Sequence, residues 1–473
     1  MLFNSLEFAV FLPIVFTIYW LLNQHLRWQN LFLLLASYYF YACWDARFLG
    51  LLILSSLVDY TVGIQLDKHH SISKRKRWLM VSIIVNLGVL SAFKYYNFFI
   101  QNFEDFLSFF GKHPNVHAAK IILPVGISFY TFQTMSYSID VYKKRIKPTD
   151  NIVDFFAFVS YFPQLVAGPI ERASQLIPQI KNRKTFDYNT SVYGLRQMLW
   201  GFFKKLVIAD GCAEHVSYIF DNAAHLNSFT LLAGIFLFAL QIYGDFSGYS
   251  DIAIGTSKLF GIRLNPNFRY PYFSQNLIEF WRRWHISLSS WFRDYVYIPL
   301  GGNHVSHVIF IRNIMIVFVL SGLWHGAAWT FVLWGAYHGV LLILTKFSSN
   351  INLLKRNYSI TNIPKILLTF ILVCIGWVFF RAANISDSFI YLARIFTTKF
   401  QFQLDFPWFQ TYLKVIITIF IVWEWLFRNR EHGLYFNGLK MNRVCRWLIY
   451  MIFCYMIFRY GVFNSHEFIY FAF

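Results

Sequence analysis

With 473 residues, 57% hydrophobic and 21% aromatic but only 14% charged, the chain lies far from the soluble average of about 25% charged residues. Its long apolar runs lack period-2 alternation, which excludes an outer-membrane barrel and predicts an all-α polytopic membrane protein of roughly 11–13 helices, several short or re-entrant, in one domain spanning the chain. The formal charge of +19 sits in short basic clusters between apolar runs; this is the pattern of Lys and Arg kept on the cytoplasmic side, against anionic lipid, and gives no reason to expect nucleic acid as a partner.

Five cysteines, Cys43, Cys212, Cys374, Cys445 and Cys454, are odd in number and scattered. Neither a disulfide framework nor a metal site is expected from that spacing. The first apolar run, residues 6–22, has no basic region before it and no small-residue cleavage site after it, so it reads as a retained first helix.

Further spans are expected at residues 31–43, 48–66, 79–100 and 121–142, with apolar segments at 155–168 and 194–209. Lys68, Lys74, Arg75, Lys76 and Arg77 form one basic loop and Lys143, Lys144, Arg145 and Lys147 another, and both belong in the cytoplasm. That parity puts the loop 101–120 and the N-terminus outside. Around residues 124–142 and in FPQLVAGPIER (162–172) the sequence suggests helix breaks that shape a pore, with Glu171 and Arg172 as an interfacial ion pair.

The stretch QIYGDFSGYSD sets Asp245 and Asp251 in apolar sequence. Buried carboxylates need partners: pairing with Lys or Arg, or orientation of a histidine, would satisfy them, and structural pairing is favoured here over direct acid or base work. Downstream, Trp281, Trp284, Leu288, Trp291 and Tyr295 recur at 3-or-4 spacing, predicting one amphipathic helix over 279–300 at the cytoplasmic mouth of a cavity. Its Arg282, Arg283 and Arg293 suit lipid headgroups first and an acyl donor second, while His285 lies on the edge of the aromatic stripe.

Residues 321–339 read SGLWHGAAWTFVLWGAYHG and place His325 and His338 in membrane-grade sequence. An ionisable ring at that depth is costly and marks a candidate functional site. With Arg312 and Lys346 both cytoplasmic, the chain between them is too short for two crossings, which need about 40 residues. A broken or re-entrant pair is therefore expected, with Gly322 and Gly326 bracketing Trp324 and His325 at the floor of a cytoplasmic funnel. Residue type alone leaves His325 open between catalysis and plain helix–helix hydrogen bonding. Spans at 366–380, 413–427 and 447–462 follow, with an extracytoplasmic loop holding amphipathic pieces at 381–408, a cytoplasmic basic loop at 428–446, and the last ten residues outside.

FWRRWHISLSSWFRDYVYIPLGGN followed by SGLWHGAAWTFVLWGAYHG resembles the membrane-bound O-acyltransferase family, and more narrowly its bacterial alginate and peptidoglycan O-acetylation branch. MLFNSLEFAVFLPIVF, ILPVGISFYTFQ, QLVAGPIER and YGDFSGYSDIAIG are similar to that branch as well, whereas the ending FIYFAF has Ala472 where the usual YFQF has glutamine. The resemblance implies a fold of short and re-entrant helices around a funnel or tunnel. It makes His325 the active-site histidine and His285 a second, more variable one, while His338 matches a motif position with no assigned role. Trp324, Arg282, Arg283 and Asp245 complete the expected site as substrate contacts.

The implied reaction moves an acetyl group from a cytoplasmic donor, acetyl-CoA, across the bacterial cytoplasmic (inner) membrane for O-acetylation of an exopolysaccharide or peptidoglycan. No tightly bound cofactor is expected. The implied partners are membrane lipids, the polysaccharide acceptor and a separate extracytoplasmic acetyltransferase. D-alanyl transfer to teichoic acid and small-molecule transport without transfer chemistry are the alternatives.

Overall fold

A computed structural model describes residues 1–112, 119, 121–166, 168–348, 360–404, 411–463, 468 and 469. Among the described residues every regular element is helical. They form two compact units: Met1–Gly194 with Ala253–Asn265, and Leu195–Ile252 with Pro266–Phe473. Among the described residues, six helical stretches are long and apolar enough to cross a membrane by length and composition: Leu26–Lys68, Ile72–Phe109, Ser228–Leu259, His307–His325, Trp329–Ser348 and Ile363–Arg381.

The first unit begins with α1 (Leu6–Leu21), capped by the Ser5 hydroxyl, which accepts from the Phe8 amide at 3.3 Å. Then come α2 (Leu26–Asp45), α3 (Leu49–Lys68), α4 (Ile72–Leu90), α5 (Tyr96–Phe109) and α6 (Ile127–Tyr142). The loop expected from residue 101 starts only after Phe109, because α4 runs into α5 through a π turn at Ser91–Tyr95. The exposed Phe99, Phe103, Phe106 and Phe110 keep helical spacing through this stretch, and that outweighs Glu104 and Asp105 as loop signals.

A polar seam joins α3, α4 and α6, where the buried Asp59 carboxylate accepts from Ser82 at 2.5 Å, Ser138 at 2.5 Å and the Asn86 amide at 2.6 Å. Arg75, counted above as a loop charge, is buried. Its guanidinium donates to the carbonyls of Leu66, Val141 (3.1 Å) and Tyr142 (2.7 Å), so one cation serves the C-terminal ends of two helices. The two basic loops therefore meet at one end of this unit.

The expected breaks are present. Gly126 starts α6 in the left-handed region, at φ 76°, and α7 (Ile152–Ser160) gives way to the single turn α8 (Phe162–Leu165) before α9 (Ala173–Lys181). Glu171 feels the charge of Arg172, as expected, and also makes hydrogen bonds elsewhere. Glu171 is buried and accepts from the Asn265 backbone amide at 2.5 Å and its side-chain amide at 2.8 Å, because the chain returns through Ala253–Asn265 to cover it.

From α10 (Tyr188–Phe202) the chain passes through a π turn at Phe203–Ala209 into α11 (Asp210–Asp221) and then α12 (Ser228–Leu259). The second unit continues with α13 (Leu277–Trp281), α14 (Ile286–Phe292), α15 (His307–His325), α16 (Trp329–Ser348), α17 (Ile363–Arg381), α18 (Ile385–Thr397), α19 (Thr411–Phe427) and α20 (Arg443–Tyr460). Trp200, Trp284, Trp334 and Trp377 fill its core.

Two expectations change in this unit. The pair around His325 consists of unbroken helices of 19 and 20 residues joined by a short turn, instead of a broken re-entrant segment. The residue count fell short because α15 starts before Arg312 and α16 ends after Lys346, and such long side chains can carry their charge to an interface from inside a helix. The single helix expected over 279–300 is interrupted between α13 and α14, at Arg282–His285. Within 381–408, α18 is the amphipathic piece; residues 405–410 lie outside the described residues.

Candidate active site

The turn after α15 is built from small residues. Gly326 ends the helix with its amide on the Gly322 carbonyl at 3.3 Å, and a methyl group there would run into the Phe331 ring. Gly322 and Gly335 let α15 and α16 approach so closely that a methyl at either would strike the other helix, at the carbonyl of Phe331 or Phe318. The last residue of α15 is His325, which is 3% exposed. Its ring centroid lies 5.0 Å from Trp324, 5.0 Å from Trp334 and 5.5 Å from Phe380.

His285 comes from the break between α13 and α14, where its φ of 42° places it in the left-handed region. Its ring stands 6.1 Å from that of His325, 5.6 Å from Trp324 and 4.6 Å from Phe246, and it is 1% exposed. Histidines forty positions apart in sequence thus share one aromatic pocket. Burial pushes the His285 imidazole down to about 3, which keeps it neutral and able to accept or donate one hydrogen bond at each nitrogen.

His338 is also buried but sits apart from this pair. It packs on Trp281 at 5.1 Å and Tyr337 at 5.3 Å, and Trp334 stands between it and His325, touching both rings. The expected arginine contacts separate as well. Arg283 is buried and paired with Glu279 at 2.5 Å, so its charge is spent inside the protein, while Arg282 beside it is exposed.

Asp245, next to Phe246 on α12, belongs to a charge network. Its carboxylate pairs with Lys205 at 2.6 Å and accepts from the Ile469 backbone amide at 2.7 Å. Lys205 also meets Asp210 at 2.9 Å. The neighbouring Lys204 pairs with Asp251 at 2.6 Å and donates to Ser247 at 2.8 Å, and the Tyr243 hydroxyl donates to Glu424 at 2.8 Å. Pairing is the expectation for Asp245 and Asp251, and the structure supplies the partners from Lys204 and Lys205, inside the otherwise apolar segment 194–209. The signal was there in GFFKKLVIAD, two adjacent lysines in mid-span. Near the C-terminus Phe468 is buried against Phe246 at 5.6 Å and Tyr249 at 5.2 Å. Residues 464–467 and 470–473 lie outside the described residues.

Paired buried histidines at a helix end, in an all-helical apolar chain, fit acyl transfer within a membrane. The family model of membrane-bound O-acyltransferases matches residues 33–385, and the chain belongs to that family. It is a multi-pass membrane acyltransferase. Among its relatives, the Pseudomonas aeruginosa protein named Probable alginate O-acetylase AlgI is 41% identical over 404 residues, covering 85% of this chain and 75% of that one. The Peptidoglycan O-acetyltransferase of Helicobacter pylori is 37% identical over 421 residues, covering 82% and 78%. The Teichoic acid D-alanyltransferase of Bacillus subtilis is 30% identical over 299 residues, covering 60% and 74%.

Proposed function

We propose that this acyltransferase takes an acetyl group from acetyl-CoA on the cytoplasmic face of the bacterial inner membrane and delivers it for O-acetylation of an extracytoplasmic polysaccharide. The observation that carries this reading is the His285–His325 pair, 6.1 Å apart and walled by Trp324, Trp334 and Phe380, in a chain whose relatives named as acetylating enzymes are 37–42% identical. His325 acts as general base. It takes the proton of an acceptor hydroxyl while that oxygen attacks the thioester carbonyl carbon; the C–S bond breaks, and the leaving thiolate recovers the proton. His285, neutral in its pocket, orients the donor or acceptor by hydrogen bonding.

Trp324 packs against both rings, and Asp245, paired with Lys205, lies beside Phe246 on the same helix turn. Exposed Arg282 is the cation available to an anionic donor or headgroup, whereas paired Arg283 shapes the α13 turn. The chain hands the acetyl group to a separate extracytoplasmic acetyltransferase, which completes transfer to an exopolysaccharide such as alginate or to peptidoglycan. Both termini face outward. Acetyl transfer is preferred over D-alanyl transfer because the acetylating relatives match more of this chain and at higher identity.

The direct test is His325→Ala in the native host. It should reduce O-acetyl ester on the acceptor polymer by about 10²–10⁴-fold, the usual contribution of a positioned acid–base group, with protein amount and membrane insertion unchanged. Normal ester content would overturn the assignment. Measuring esters on secreted polysaccharide and on peptidoglycan in the same deletion strain identifies the acceptor.

A further inference from the structure

The backbone around His285 poses a problem that another residue solves. His285 is the N-cap of α14, yet its side chain makes no capping hydrogen bond. A helix start leaves amides without partners, and Ser, Thr, Asn or Asp at the N-cap normally accept from them. An imidazole turned toward His325 cannot do that work, so the cap must come from elsewhere in the chain.

It comes from Asn267. The Ile286 amide donates to the Asn267 carbonyl at 2.9 Å, and the Ser287 amide donates to Asn267 Oδ1 at 3.3 Å. Asn267 Nδ2 in turn donates to the Ser250 hydroxyl at 3.1 Å, tying the brace to α12. Two residues on, the Arg269 amide donates to the Arg283 carbonyl at 3.0 Å, so the segment 267–269 runs alongside the break as a splint. Asn267 is 1% exposed and Ser250 is 2% exposed, so water does not compete for these bonds.

Both ends of the splinted region are strained. Among the described residues only Lys144, Tyr270 and His285 are non-glycine residues at positive φ, and two of the three flank this contact, at 48° and 42°. Such backbone persists where its surroundings over-determine it, and it clusters at functional sites.

We propose that Asn267 is a positioning residue for acyl transfer, which caps α14 in place of His285 and so holds the His285 ring beside His325. The proposal rests on the catalytic reading of the histidine pair given above. It concerns a residue that no motif pointed to and that touches neither histidine ring in the described contacts.

The test uses the full-length protein in lipid vesicles, with kinetics of acetyl transfer for wild type, Asn267→Ala, Asn267→Asp, His285→Ala and the double variant Asn267→Ala/His285→Ala. Asn267→Ala should lower kcat per folded protein by about 10–100-fold with KM for acetyl-CoA nearly unchanged, since a misplacement of about 1 Å has effects of that size. Asn267→Asp keeps an acceptor and should recover part of the loss. The double variant should match His285→Ala alone. Should Asn267→Ala not accumulate, Asn267→Ser reads the same kcat-against-KM split. Wild-type kcat in the Asn267 variants, or an equal further loss in both His285 backgrounds, would overturn the proposal. Wild-type activity in His285→Ala would remove the reading of the pair itself, and Asn267 as its brace with it.

Discussion

His285 lies outside the spanning helices but is sealed from water, and its imidazole is held well below the ordinary histidine range. An unfolded chain takes up a proton at this residue below about pH 6.5, and the folded protein does not, so its contribution to stability shrinks as the pH falls from 6.5 toward 3. In detergent, the loss of melting temperature between pH 7 and pH 5 should therefore be smaller in His285→Gln than in wild type; identical slopes would contradict the burial argument. A second residue-scale prediction concerns Lys205. Lys205→Met leaves Asp210 and Asp245 buried without their shared cation and should cost about 3–5 kcal/mol in unfolding experiments. A change below 1 kcal/mol would contradict a stabilising role for the shared cation. At this scale the histidines were legible because imidazole is conspicuous in hydrocarbon sequence. Lys204 and Lys205 stand out only as adjacent lysines in mid-span, and apart from Asp210 their partners, like those of Asn267, lie outside the local sequence, where only the fold brings them together.

Helix geometry explains which parts of the elements could be read. Long apolar periodicity marked the spans, and glycine spacing marked the α15–α16 turn. The interruption between α13 and α14 left no such mark: the aromatic spacing stays helical straight through it, and the break is imposed by hydrogen bonds from 267–269. For the hairpin, Gly322→Ala and Gly335→Ala should each destabilise the protein by about 2–4 kcal/mol, because the added methyl meets backbone that cannot yield. Gly88→Ala on α4, where a methyl has open space, is the matched control; it should be neutral or stabilising by up to about 1 kcal/mol. Equal effects at all three sites would show that close approach of α15 and α16 does not matter for stability.

At the scale of the whole molecule, charge clusters predict a topology in which both basic loops share one side of the membrane, and Arg75 joins the C-terminal ends of α3 and α6 in the first unit. With Lys76→Cys and Arg145→Cys introduced singly, both thiols should react with a membrane-impermeant reagent from the cytoplasmic side and from no other. Labelling from opposite sides would break the parity on which the proposed inward-facing donor site depends. The class of reaction was legible because the motifs around His285 and His325 carry the family's pattern. The buried lysine network and the anchored C-terminal residues were not, because they depend on contacts between distant stretches of chain.

The central claim is that this chain performs transfer chemistry at His325. The most direct measurement supplies acetyl-labelled CoA to purified protein in sealed vesicles and follows thioester cleavage together with the fate of the label. The account predicts cleavage with label passing to an acceptor, lost in His325→Ala at unchanged protein content. Uptake of label without cleavage, or equal cleavage in wild type and His325→Ala, would contradict it.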